Sequence, residues 1–438
     1  MKKRETLHQA LVSGHFFNAF FSIAFDPLDL IINKCIVAMQ KGVFLKKVVG
    51  KIFSYPNKVL GNCFRSREFS EYEVDEKKIF FFTFQGDYTC NPKYITEGLI
   101  KQNVNCKIVW GVRERQLKNQ YMVPNQVIMV DRYTYDFYRE MATSKIWIIN
   151  SVEVFKNPLP KKKEQILIET WHGSLGIKRF DASVNSGKAW VEAANLCGKI
   201  ADYCISNSKF ENSVYRETFW RNTELLEVGH PRNDILFLSS EERKELTDKT
   251  RTEIGVGREY RLLLYGPTFR DSHEFDSYDI DYKRLIENLK NKFGGEWKIL
   301  VRFHPTVRSY AKGKIGKFDG VVDVTDYPDI QELMMISDVA ITDYSSWIYD
   351  YVLSRKPGFI FATDIEEYNT ERGFYYPLES TPFLIARSND ELIENILKFN
   401  DAVYRQKVEE FLKDKGCFED GHASERVVEK IKEIIGEK

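Results

Sequence analysis

Two Rossmann-like, doubly wound α/β domains facing a cleft, with a basic helical segment ahead of them, are the fold class this sequence predicts. Three observations carry that expectation. From Lys77 onward, short apolar runs rich in β-branched residues alternate with stretches of helical periodicity. The runs end in Gly, Pro, Asn, Asp or Ser clusters that open the next helix. Halfway along, the charged stretch SSEERKELTDKTRTEIGV (239–256) holds a helical pattern without a strand, which marks a joint. At 438 residues the chain also exceeds one ordinary core, and 43% hydrophobic residues supply material for two.

Residues 1–70 form the basic helical segment. HFFNAFFSIAF (15–25) and the apolar run 28–53 are interspersed with Lys34, Lys41, Lys46, Lys47 and Lys51. Nine Lys and Arg against three acids give residues 1–64 a charge of +6, inside a chain with 64 basic and 64 acidic residues. Such a helix suits a membrane interface, with apolar side chains in the acyl boundary and lysines on anionic headgroups. A helical hairpin packed on the body is the other reading; the charge asymmetry favours the membrane.

The first domain is expected over 76–238. Its strands are KKIFFFTFQG (77–86), CKIVWGV (106–112), QVIMVDR (126–132), KIWIINS (145–151), QILIET (165–170) and ADYCISNS (201–208), with LLEVGHPRNDIL (225–236) closing the half. Helices fall near 91–102, 133–142, 188–199 and 211–221. The second domain is expected over 255–438. It restarts with RLLLYGPT (261–268), then WKILVRFHP (297–305), GVVDVT (320–325), a helix at 330–337, and the unit DVAITDYSSWIYDYVLSRKPGFIF (338–361). That unit reads as strand, turn, helix, strand, with Ser345 and Ser346 at the helix mouth. A helix start offers unpaired N–H groups and suits a phosphate, although a serine there also serves as a plain cap. YPLE (376–379) and TPFLIAR (381–387) are the last strand-like pieces, before three closing helices.

Composition excludes several classes. A formal charge of zero argues against a generic nucleic-acid binder. Seven scattered cysteines without a CxxC pair suit a reducing compartment and no disulfide framework. No run of about 18 apolar residues predicts a spanning helix, and no signal peptide is evident. GxGxxG, GxxxxGK[ST], HExxH and metal-type Cys/His spacings are all missing, which points away from hydride transfer, ATP hydrolysis, zinc chemistry and any bound metal.

In open α/β sheets ligands sit beyond the carboxyl ends of the strands. Those ends carry Trp171-His172-Gly173-Ser174, Gly229-His230-Pro231-Arg232, Thr268-Phe269-Arg270-Asp271, Arg302-Phe303-His304-Pro305, Asp343-Tyr344-Ser345-Ser346 and, further on, Glu371-Arg372-Gly373-Phe374. Each has a bland account, such as a satisfied core imidazole or a local ion pair. Taken together, two histidines (172, 304), three arginines (270, 302, 372) and the hydroxyls of Thr268, Ser345 and Ser346 can neutralise a diphosphate and supply an acid or base near neutral pH.

The segments GDYTCNPKYI, IETWHGSLGIK, GHPRND, YGPTFRD, VRFHP, DVAITDYSSWIYDY, RGFYYP and DGHASER, taken in this order, resemble the CDP-glycerol glycerophosphotransferases, which build teichoic-acid-like polyol phosphate chains. The resemblance spans about Phe81 to Arg426 and implies a GT-B-like fold. It implies that His172 is the general base and His304 a second essential histidine at the donor diphosphate. It implies that Thr268, Arg270, Arg302, Ser345, Ser346 and Arg372 surround the donor phosphates, and that Asp350 fixes the serine loop or the donor's glycerol. The first domain would then take the acceptor and the second the donor nucleotide. The implied reaction moves glycerol phosphate from CDP-glycerol to a hydroxyl of a lipid-linked polyol or saccharide acceptor, releasing CMP, with no cofactor besides the donor, no nucleic-acid partner, and the enzyme peripheral on the cytoplasmic face of the membrane. CDP-ribitol as donor, or a GT-B glycosyltransferase using a UDP- or GDP-sugar, are the alternatives. After WHG the family usually shows Thr-Pro-Leu-Lys; this chain has Ser174-Leu175-Gly176-Ile177-Lys178, so the acceptor side formed by Gly173, Ser174 and Lys178 is expected to differ.

Overall fold

Strands buried on both faces need helices above and below, which a parallel doubly wound sheet provides. β1 (Asp75–Phe82, DEKKIFFF) buries its last four residues, and β11 (Val339–Thr342) buries all four. The computed structural model describes residues 65–118, 123–176, 178–181, 187–268, 280–303 and 318–437. The basic segment expected ahead of the first domain lies, up to residue 64, outside the described residues. Its last turn packs inward: Phe69 is buried, and the Arg65 guanidinium donates to the Pro158 carbonyl at 2.9 Å.

The first sheet also holds β2 (Lys107–Val112), β3 (Val127–Asp131), β4 (Ser144–Ile149), β5 (Ile166–Glu169), β6 (Tyr203–Ser206) and β7 (Glu224–Glu227). All pairings are parallel and the order is β3-β2-β1-β4-β5-β6-β7. The second sheet is built from β8 (Tyr260–Tyr265), β9 (Glu296–Val301), β10 (Val321–Asp323), β11, β12 (Gly358–Phe361) and β13 (Leu384–Ala386), in the order β10-β9-β8-β11-β12-β13, again parallel. Both sheets therefore follow the Rossmann order 3-2-1-4-5-6. The winding reverses between β1 and β4 in one and between β8 and β11 in the other, and ligands bind at such reversals.

The charged stretch between the sheets is a helix, Ser240–Glu253, opened by a reciprocal capping box of Ser239 and Glu242. Only Thr250 of this helix is buried, as expected of a connector exposed on most sides. YPLE forms no strand. Pro377 leads instead into a 3₁₀ turn at Leu378–Ser380.

The last helix, Ala423–Ile435, departs from the expected 255–438 unit. Its apolar stripe of Val427, Val428, Ile431 and Ile435 is buried in the core of the first sheet, against the helix Cys90–Lys101. Gly98 permits that approach: a Cβ there would stand 3.1 Å from Val428 Cγ2. Sequence order alone cannot reveal this return, because the stripe would fit either sheet. Among the described residues, no helix is long and apolar enough to cross a membrane.

Candidate active site

At the first reversal, three strand ends meet at Asn150. The residue follows β4 and is 1% exposed. Its side-chain Oδ1 accepts from the Phe84 N–H at 2.7 Å, just beyond β1. Its main-chain carbonyl lies 2.6 Å from His172 Nδ1, just beyond β5. A carbonyl only accepts, so Nδ1 carries the proton and Nε2 keeps the lone pair of the neutral ring. The imidazole is offset-stacked with Phe84 (5.7 Å, 24°) and tilted against Trp171 (4.5 Å, 33°). Its surface is open to the cleft, yet protein crowds it from the other sides. That loss of water pushes its pKa down to about 4, with the Arg232 and Lys178 charges helping and the Asn150 carbonyl opposing. The ring is neutral at pH 7, the state a general base requires.

The turn that presents His172 is strained. Trp171 has φ +46°, a left-handed conformation that costs a bulky residue about 1–3 kcal/mol. Its N–H is held by Glu169 Oε1 at 2.8 Å, and Cys197 Sγ lies 3.3 Å from the other oxygen. Burial raises this carboxyl to about 8, so it is protonated at neutral pH.

The following loop is tied both to Arg232 of the first domain and to the second domain. The Gly173 carbonyl accepts from the Arg232 guanidinium, and the Leu175 carbonyl from the Tyr376 hydroxyl. Lys178 bridges Phe374 in antiparallel fashion, and the Arg179 N–H donates to Gly373 O at 3.3 Å. Gly176 lies so close to the serine pair that a Cβ there would stand 3.0 Å from Ser346 Cβ. Ser174 is turned inward: it is buried, and its Oγ accepts from Asn207 Nδ2 at 2.9 Å.

At the second reversal, Thr268 follows β8, and its N–H and Oγ1 both donate to Asp343 Oδ1, at 2.8 and 2.7 Å. Asp343 thus organises the turn after β11, a role the sequence left unassigned. Ser345 and Ser346 are half-buried. Ser346 occupies the N-cap of the short helix Trp347–Tyr351 and makes no side-chain cap bond. The Trp347 indole instead donates to the Gly266 carbonyl at 3.0 Å. Arg302, after β9, is half-buried and donates to the Tyr327 carbonyl. Burial lowers its pKa to about 10, with Asp329 and Asp87 opposing, so it stays cationic.

Asp350 does not open onto the cleft. It is 3% exposed and grips Arg232: Nε to Oδ2 at 2.9 Å and Nη2 to Oδ1 at 3.3 Å. Asn233 and Gln331 donate to the same carboxylate at 3.1 and 3.3 Å. This is an inter-domain strut, and the carboxylate's acceptor sites are taken by it. A second strut joins Lys93 to Asp329 (2.6 Å) and Glu332 (2.7 Å). Burial is the largest influence on Lys93 and works against its charge, but Asp329, Tyr94, Glu97 and Glu332 together outweigh it and hold the ammonium well above its ordinary pKa. His230, read as part of a strand-end cluster, is fully buried between Glu211 (2.9 Å) and Asn91 (3.1 Å), as a structural imidazole.

His304 and Arg270 lie outside the described residues. Arg372 ends the helix Ile365–Arg372, and its side chain is likewise outside them. A cavity of about 840 Å³, lined by Arg179, Lys199, Glu217, Arg221 and Tyr375 among others, lies off this cleft. The Phe180 ring, 5.1 Å from Trp171 and 6.1 Å from Tyr375, stands between it and the His172 turn. None of His172, Thr268, Ser345 or Ser346 lines it, so the two reversal points are the better candidate site.

Two parallel sheets of Rossmann order, with ionisable side chains at the reversal of each, form a GT-B-like layout. Residues 64–433 match the CDP-Glycerol:Poly(glycerophosphate) glycerophosphotransferase family, and the chain belongs to it. It is 32% identical over 391 residues to the teichoic acid poly(glycerol phosphate) polymerase of Staphylococcus epidermidis, covering 84% of this chain and 52% of that protein. The polymerase of the same description from Bacillus subtilis is 29% identical, covering 87% and 52%. The chain thus spans about half the length of these curated relatives. A solved structure of the wall teichoic acid polymerase TagF, a histidine-to-asparagine variant soaked with CDPG, matches with a TM-score of 0.73 at 28% identity, covering 93% of this chain and 97% of that one.

Proposed function

We propose that this protein transfers glycerol phosphate from CDP-glycerol to an acceptor hydroxyl in the synthesis of a teichoic-acid-like polymer. The observation that carries the reading is the His172 imidazole, neutral and fixed in the Nδ1–H tautomer, set across the cleft from the serine turn of the second sheet. Family membership and the likeness to a polymerase structure soaked with CDPG support the donor.

In this reading the acceptor hydroxyl gives its proton to Nε2 of His172 as its oxygen attacks the β-phosphorus of the donor. The bond from that phosphorus to the bridging oxygen breaks, and CMP leaves with the oxygen. Ser345, Ser346 and the Arg302 charge stabilise the transferring phosphoryl group, Thr268 holds the turn through Asp343, and the family resemblance assigns Arg270, Arg372 and His304 to the same donor. Positioning and electrostatics supply most of the rate. Gly173 and Lys178 border the acceptor. The acceptor is lipid-linked, and residues 1–64 hold the enzyme on the cytoplasmic face of the membrane through lysines and apolar side chains. No cofactor is needed besides the donor.

The test is nucleotide release by the full chain with a lipid-linked glycerol-phosphate acceptor. CMP from CDP-glycerol, faster than from CDP-ribitol and without turnover of UDP- or GDP-sugars, is the expected result. A preference for ribitol or for a sugar nucleotide would replace the donor while leaving the fold.

A further inference from the structure

We propose that Phe84 is an acceptor-recognition residue, an aromatic platform for the carbon chain of the acceptor's terminal polyol unit, set at a fixed distance from the base by Asn150. The inference rests on the acceptor side assigned above.

Three independent observations meet here. Phe84 is a large apolar side chain left 39% exposed at the carboxyl end of β1, the strand beside the reversal of the first sheet. Sheets of this order place ligands at that point. Its exposure is not that of a loose loop tip. Its N–H is bound by a fully buried amide, Asn150 Oδ1. The 3₁₀ turn it opens closes at Gly86, whose φ of +72° lets its carbonyl accept from the Arg113 N–H at 3.0 Å. Finally, Asn150 holds both the platform and the base. Its side chain holds the Phe84 N–H and its carbonyl holds His172, and the two rings lie offset-stacked at 5.7 Å.

The chemistry this geometry suits is a short polyhydroxylated carbon chain. Its hydroxyl points to Nε2, and its C–H edge lies on the phenyl ring, which excludes water from the side of the reacting oxygen. A nucleotide base would also stack on a phenyl ring, but it belongs to the opposite sheet in the reading above.

The test uses the full chain with Phe84→Ala, Phe84→Leu and Phe84→Tyr, CDP-glycerol as donor, and a short synthetic oligo(glycerol phosphate) carrying an alkyl chain as acceptor. An aromatic contact of ordinary strength predicts a rise of about three- to tenfold in acceptor KM for Phe84→Ala, near-full recovery in Phe84→Tyr, and an unchanged donor KM. Asn150→Ala should raise acceptor KM in the same direction, and Phe84→Ala added to it should raise it no further, because both remove one contact. Phe84 is partly exposed, so its variants carry the test alone if Asn150→Ala does not fold. Acceptor KM unchanged in Phe84→Ala, or donor KM raised equally, overturns the inference. Acceptor binding without donor, followed by tryptophan fluorescence, separates it from the donor assignment. If the wild type releases no CMP but binds the oligomer tenfold better than Phe84→Ala, the donor reading falls and the inference stands. Equal binding by the two, or none by the wild type, overturns it.

Discussion

The two reversal points share one topology and differ in chemistry. Beyond β1, β4 and β5 the side chains are aromatic rings around one neutral imidazole: Phe84, Trp171 and His172. Beyond β8, β9 and β11 they are hydroxyls, a buried carboxylate that shapes a turn, and a guanidinium: Thr268, Ser345, Ser346, Asp343 and Arg302. Protein crowding the imidazole on all sides but the cleft lowers its proton affinity. Hydroxyls and a cation accommodate negative charge. In the function proposed above, the same strand order yields a proton-accepting half and a phosphate-accepting half, and the difference lies in the residues placed just past the strands.

Removing the base tests the contrast hardest. His172→Ala should lower kcat by about 10²–10⁴-fold, the usual worth of a positioned general base, while donor affinity by calorimetry stays within twofold. The pH profile sharpens this. A base acts deprotonated, so activity is lost as pH falls through its pKa. With His172 lowered to about 4, the acidic limb of kcat/KM should lie below pH 5, with no inflection near the 6.5 of an ordinary imidazole. An acidic limb near 6.5 would mean that water reaches the ring freely and that the aromatic surround does not set its basicity.

The next effect is on the joint between the halves. Arg232→Ala leaves Asp350 buried with only the Asn233 and Gln331 amides. Truncating one member of a buried ion pair typically costs about 3–5 kcal/mol, which should appear as a lower urea midpoint. It also frees the Gly173 carbonyl, next to His172, so kcat should fall with stability. If stability falls alone, the strut holds the halves together without aligning them.

The sequence made the alternation of strands and helices legible because each run is either apolar throughout or periodic at 3.6 residues. The place of His172 at a strand end was legible because WHG directly follows an apolar strand. Asn150 and Phe84 were not: they become neighbours only once β1, β4 and β5 lie side by side, 66 residues apart along the chain for one hydrogen bond and 22 for the other. The resemblance implies that Asp350, one turn past Ser346, fixes the serine loop or the donor's glycerol. Its partner Arg232 stands 118 residues away, on the other sheet's side of the cleft, and no local pattern connects them. The last helix shows the same limit, since an amphipathic stripe records that it is buried but not against what.

The smallest effect concerns Ser346, where the two accounts of the serine pair part. A serine that caps a helix through its hydroxyl is worth about 1 kcal/mol, lost on change to alanine. Here Ser346 sits at the N-cap with αR dihedrals (φ −65°, ψ −19°) and makes no side-chain cap bond. Ser346→Ala should therefore shift stability by no more than about 0.5 kcal/mol, the range of a substitution that removes no contact. If the hydroxyl serves the donor, the same variant should raise donor KM while leaving acceptor KM as it was, the opposite split to that of Phe84→Ala. A loss of about 1 kcal/mol in stability with an unchanged donor KM would return Ser346 to a capping role. The phosphate-accepting half of the proposed site would then rest on Ser345 and the cations.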